Sequence, residues 1–141
     1  MGTARVNLGA ALPDESPVFR AFSQDGHRRK NKVRARAFYR PKDHEDGISV
    51  GLTPRHAVAD LSVNFGYCRL SVGAVHSLPN NLQVCPDLGK EGHALILNVP
   101  CIDGTDEERE MAELIAGQLA KLAEVVTYEC YRPNGVDAAH A

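Results

Sequence analysis

The spacing of hydrophobic residues changes period several times along this chain, and each change marks an element. From Val33 to Tyr39 apolar and charged residues alternate (VRARAFY), which is the two-residue period of a strand with one face on a core. PKDHEDG is turn chemistry, and ISVGL (48–52) is a second apolar run, so 33–52 reads as a hairpin. YCRLSVGAV (67–75), LQVC (82–85) and HALILNV (93–99) read as further strands, separated by HSLPNN and PDLGKEG. The most apolar of these, HALILNV, is expected to lie centrally in the sheet, and VVTYECY (125–131) reads as a terminal strand.

Two stretches carry helix signals instead. Thr53 precedes Pro54, an N-cap followed by proline at the first helical position, and predicts about two turns ending near Ser62. Thr105 and Glu108 form a capping box, and Asp106, Glu107 and Glu110 load the positive end of the helix dipole. Met111, Leu114, Ile115, Leu119 and Leu122 then recur at helical spacing, which predicts a long helix over about 106–124. Residues 1–26, with Pro13, Pro17 and little periodicity, read as a loosely tied N-terminal arm holding at most a short turn near Val18–Phe22. Residues 27–131 read as a single domain and 132–141 as a C-terminal tail. The expected fold class is α+β: a small, mostly antiparallel sheet with one long C-terminal helix packed on one face and a short second helix.

Composition narrows the class without naming a function. A chain of 141 residues, 43% hydrophobic and 24% charged, has the make-up of one ordinary globular domain. Its apolar runs fall well short of the ~20 residues needed to cross a bilayer, so no membrane partner is expected. Four cysteines without a secretory signal read as reduced thiols in a cytoplasmic, soluble protein.

The net charge of −2 conceals a basic strip. Arg28, Arg29, Lys30, Lys32, Arg34, Arg36, Arg40 and Lys42 are half of the 16 Lys and Arg. On a strand over 32–40, Lys32, Arg34, Arg36, Phe38 and Arg40 would share one face, with Val33, Ala35, Ala37 and Tyr39 on the core side. Cations around an exposed ring suit single-stranded nucleic acid, and an acidic protein surface would fit the charge equally well. Arg28, Arg29 and Lys30 would extend that surface. The same pattern also serves as a solvated edge strand, or is balanced by Asp43, Glu45 and Asp46 folding back across the hairpin.

Catalytic chemistry has less to stand on. Cys68, His76, Cys85, His93 and Cys101 are too widely spaced for a structural zinc site, which needs a close ligand pair, so neither metal nor cofactor is expected. Asp43, Glu45 and Asp46 lack the spacing of a calcium loop, and GKEGH lacks that of a phosphate loop. A Cys–His hydrolase would need Cys85 or Cys101 beside His93 or His76. Arg55 and His56 fall in the first turn of the short helix, where backbone N–H groups favour an anion. A strand ending in FYR (38–40), then a glycine-bearing strand and a short helix, resembles the opening of ADP-ribosyltransferase domains. That resemblance implies NAD chemistry, with Arg40 on the NAD phosphates and Glu129, in TYECY, as the late catalytic glutamate. The sequence thus supports two function classes: a non-enzymatic interaction domain with a basic face, and a small enzyme using Arg40, His56, His93 or Glu129.

Overall fold

The computed structural model describes residues 8–29, 32–40, 47–59 and 61–127, with Arg28 and Arg29 described by their backbone alone. Lys30, Lys42, Asp43, Glu45, Asp46, Glu129 and the tail 132–141 lie outside the described residues.

The fold is α+β, a six-stranded antiparallel sheet with one long helix packing against it and several short ones. Strand β1 is Pro17–Ala21; β2 (Arg28–Arg29) and β3 (Lys32–Val33) form a separate small ladder. Strand β4 (Gly47–Gly51) and helix α1 (Pro54–Ala57) follow, then β5 (Tyr67–Ser71) and α2 (Val72–His76). The chain continues through β6 (Gln83–Pro86), β7 (His93–Leu97), α3 (Asp106–Leu122) and β8 (Glu124–Thr127). Spatial order in the main sheet is β6-β7-β4-β1-β5-β8. Among the described residues no helix is long and apolar enough to cross a membrane.

The N-terminal arm is the first correction. Residues 17–21 are a central strand, paired antiparallel to β5 from Pro17↔Ser71 to Ala21↔Tyr67 and to β4 at Phe19↔Gly51. Proline is tolerated because it is the first residue of the strand, where a missing N–H costs least. Residues ahead of β1 are tied down as well: Gly9 N–H donates to the Pro86 carbonyl (2.9 Å) and Leu12 N–H to that of Val84 (2.8 Å).

The expected hairpin over 33–52 is the second correction. After the two-residue β3, Ala35–Phe38 close into a 3₁₀ helix flanked by extended residues Arg34 and Tyr39. β4 pairs with β7 and β1 instead, through Ile48↔Ile96 and Val50↔Ala94 on one side and Phe19↔Gly51 on the other. Alternation misled because two of its apolar positions are alanines, which fit a helical turn as readily as a strand. Phe38 then swings into the core, and Ala37 and Phe38 are buried consecutively, which no strand facing one core could do.

One face of the sheet carries the core. Val18, Ile48, Val50, Leu70, Val84, Ala94 and Ile96 share it, and Phe38, Ile115 and Leu119 cover it from above. The capping box of α3 forms as expected, with Thr105 Oγ1 accepting from Glu108 N–H and Glu108 Oε1 accepting from Thr105 N–H. The buried stripe of α3, however, is Ala112, Ile115, Ala116 and Leu119. Met111 and Leu114 are 39% and 52% exposed, because the alanines let the helix approach closely and turn its larger residues outward. On the opposite face α1 is a single turn, shorter than expected, seated so close that a Cβ on Gly51 would collide with the Ala57 backbone nitrogen. The expected strand over 67–75 ends at Ser71, where α2 begins. HALILNV supplies β7, one place in from the β6 edge rather than at the centre.

Candidate functional site: an arginine-lined cavity

Arg20 lies between Phe19 and Ala21 in the middle of an apolar strand. Because Val18 faces the core, two-residue alternation puts Arg20 on that same face. A guanidinium cannot remain there without partners. Its Nε donates to the Ala37 carbonyl (2.9 Å) and its Nη1 to the Ser49 carbonyl (2.7 Å), joining the 3₁₀ helix to β4. The cation therefore sits at the rim of the core, fixed by two backbone oxygens.

Around it opens a cavity of about 600 Å³. Arg36, on the exposed side of the 3₁₀ helix, forms part of its wall, and Arg40 another part. Arg40 is held in place because its Nε donates to the Val99 carbonyl (2.8 Å) while its own carbonyl accepts from Ile102 N–H (2.9 Å). The half-buried Tyr39 lies between these two arginines in sequence and also lines the space, together with Ser23, Gln24 and Ser49.

His27 borders the same cavity and is only 7% exposed. Its Nδ1 is fully buried and has no hydrogen-bond partner. Burial, and then the positive charges of Arg20 and Arg36, push its pKa from 6.5 down to about 4, so the ring is neutral at physiological pH. Burial is the larger cause, and the positive potential of the two arginines adds to it.

Among the side chains described, the basic strip is therefore divided rather than presented on one face. Arg36 and Arg40 join the cavity, and Arg34 points to solvent. Lys32 borders a different hollow of about 470 Å³ against α3, where Lys121 is the second cation and Val33, Ala35, Gly117 and Ala120 make an apolar lining. Phe38 is completely buried and cannot stack on a base, which corrects the expected role of that ring. The β2–β3 ladder sets Arg28 opposite Val33 and Arg29 opposite Lys32.

The described members of the alternative catalytic set lie in two places, and Glu129 is outside the described residues. His56 and His93 meet edge to face, ring centroids 6.2 Å apart, with His56 Nδ1 2.8 Å from Thr53 Oγ1. Arg40 lines the arginine cavity, where neither histidine is found. His76 accepts from Val84 N–H at Nε2 (3.1 Å) and so carries its proton on Nδ1, 2.9 Å from Asp14 Oδ1. With both nitrogens engaged it serves structure. Cys85 faces Leu95 across the ladder rather than a histidine, and burial raises its pKa. Burial pushes Cys68 up to about 12, although Arg20 pulls the other way. Among the described residues no three His, Cys, Asp or Glu side chains gather as metal ligands.

Sequence reading missed Arg20, His27 and Tyr39. For Arg20 a signal existed, since a lone cation in VFRAF falls on the core-facing parity of its strand. For His27 and Tyr39 there was none, because their meeting depends on the 3₁₀ turn. The chain has no significant match among protein-family models, curated proteins or solved structures.

Proposed function

We propose that this chain is a non-enzymatic interaction domain that binds a phosphate-bearing partner, single-stranded nucleic acid by class, in the arginine-lined cavity. The observation that supports this reading is the convergence of Arg20, from β1, with Arg36 and Arg40, from the basic strip, on one hollow. All the cations among its described lining residues are arginines. Planar guanidinium forks match phosphate oxygens in pairs, whereas a merely solvated basic face has no reason to prefer Arg over Lys. Arg20 and Arg40 are already held by backbone carbonyls, so binding sacrifices little side-chain freedom. An acidic protein surface, with carboxylates spread over a broad area, fits a concave site less well than a compact phosphate does. The enzyme alternative is weaker because Arg40 is apart from His56 and His93.

Fluorescence anisotropy of labelled single-stranded RNA and DNA across a salt series tests the reading. Affinity should fall linearly on logarithmic axes through counterion release. Arg36→Gln should flatten the slope by about 0.7 for one lost phosphate contact, while Arg34→Gln, outside the cavity, should leave it unchanged. Absence of binding to either strand at low salt would sink the proposal.

A further inference from the structure

The shape of the cavity says more about the ligand than its charge does, and the inference drawn from it rests on the phosphate-binding reading above. We infer that the site takes the phosphorylated end of a strand, a single nucleotide bearing a terminal phosphomonoester, in preference to the phosphodiesters within a chain.

Size is the first reason. Proteins that hold the interior of a single strand do so along open grooves covering about 4–16 nucleotides. A hollow of about 600 Å³ has the volume of a site for one small molecule. It is closed on one side by the buried strand residues Gly47 and Ile48, so a strand has no path out through that wall.

Charge is the second. An internal phosphodiester carries one negative charge on two non-bridging oxygens. A monoester near neutral pH carries roughly −1.5 to −2 and presents three acceptor oxygens. Three guanidiniums around one space suit the second better, because the same cations attract the larger charge more strongly and their remaining N–H groups meet more acceptor oxygens.

Tyr39 supplies the third reason and identifies the group attached to the phosphate. Its ring is half-buried in the wall between Arg36 and Arg40 in sequence, where a base next to the bound phosphate could stack on it. Ser23 and Gln24, both exposed, add hydroxyl and amide groups of the kind that read base edges or sugar hydroxyls.

The test compares one short labelled strand in three forms, with a 5′-phosphate, with a 3′-phosphate and with hydroxyls at both ends, at fixed low salt. One phosphorylated form should bind at least about tenfold more tightly than the hydroxyl form, the effect of one additional charged hydrogen bond. A nucleoside monophosphate should compete for the site better than inorganic phosphate. Arg36→Gln should erase the preference for the phosphorylated end. Tyr39→Leu should weaken the nucleoside monophosphate while leaving inorganic phosphate unchanged. Circular dichroism establishes that both variants are folded. Equal affinity for the three strands overturns the end preference and leaves the broader proposal standing. A phosphoserine peptide that binds as tightly as the phosphorylated strand overturns the nucleotide assignment. Failure of every probe to bind overturns both.

Discussion

The two hollows on either side of the 3₁₀ helix Ala35–Phe38 differ in how their cations are held. Arg36 borders the arginine cavity, and Ala35 borders the lysine hollow against α3. In the first, Arg20 and Arg40 are fixed by backbone carbonyls and surrounded by polar side chains. In the second, Lys32 and Lys121 are exposed over a lining of small apolar residues. Positive charge alone does not distinguish the two. What does is the kind of cation and its surroundings: planar guanidiniums held at backbone carbonyls among polar side chains in the first, ammonium groups over small apolar residues in the second.

The shared wall provides the most severe way to break this contrast. Phe38 lies beneath the 3₁₀ helix, completely buried, so Phe38→Ala should cost about 3–5 kcal/mol in urea unfolding and impair both hollows together. Loss of ligand binding with unchanged stability would contradict the placement of this ring in the core.

His27 gives a comparably large effect that belongs to the arginine side alone. The unfolded chain binds a proton at this ring below pH 6.5, whereas the folded protein resists it until about pH 4. The unfolded state therefore holds more protons across that window, and stability should fall as pH drops from 6.5 to about 4. The loss from this group should total about 3 kcal/mol and not grow further below that window. His27→Gln should remove that component of the pH dependence, and an unchanged profile in this variant would show that His27 is not held neutral by its folded surroundings.

Arg20→Met comes next. It leaves the Ala37 and Ser49 carbonyls without their guanidinium donor and should cost about 2 kcal/mol, whereas Lys121→Met, at an exposed position, should stay within about 0.5 kcal/mol of wild type. Similar costs for the two would mean that the carbonyl clamp contributes nothing.

The smallest effect sharpens the comparison from the other side. A Cβ at Gly117 meets no atom within 4 Å, so Gly117→Ala should stabilise α3 by about 0.5–1 kcal/mol, seen as a raised urea midpoint. Ligand affinity in the arginine cavity should not change.

Legibility in the sequence followed the locality of the chemistry. The capping box at Thr105 and Glu108 and the Thr53-Pro54 start were readable because each device closes within three or four residues. The apolar run His93–Leu97 was readable because burial on both faces needs no partner to be inferred. β1 was hidden because a proline opens it and an arginine interrupts it, both of which its neighbours accommodate. Alanine accounts for the two misjudged surfaces. In Ala35–Phe38 it allowed a turn where alternation predicted a strand, and in α3 Ala112 and Ala116 took the buried face that Met111 and Leu114 were expected to fill. Half of the arginine site, Arg36 and Arg40, lay in the obvious strip. Arg20 and His27 reach it only through tertiary contacts.

The central position of β1 also bears on how the chain is made. Val18 pairs with Leu70, so the middle strand of the sheet leaves the ribosome about fifty residues ahead of the partner that covers one of its edges. At about 5–20 residues per second that partner emerges roughly 2–10 s later. Until β4 emerges to pair at Phe19↔Gly51, Val18, Phe19, Ala21 and Phe22 are a short apolar segment with no partner strand and the single charge of Arg20. The side chain that later anchors the cavity is therefore also the one charge that interrupts this segment, in the position of a gatekeeper within an apolar run.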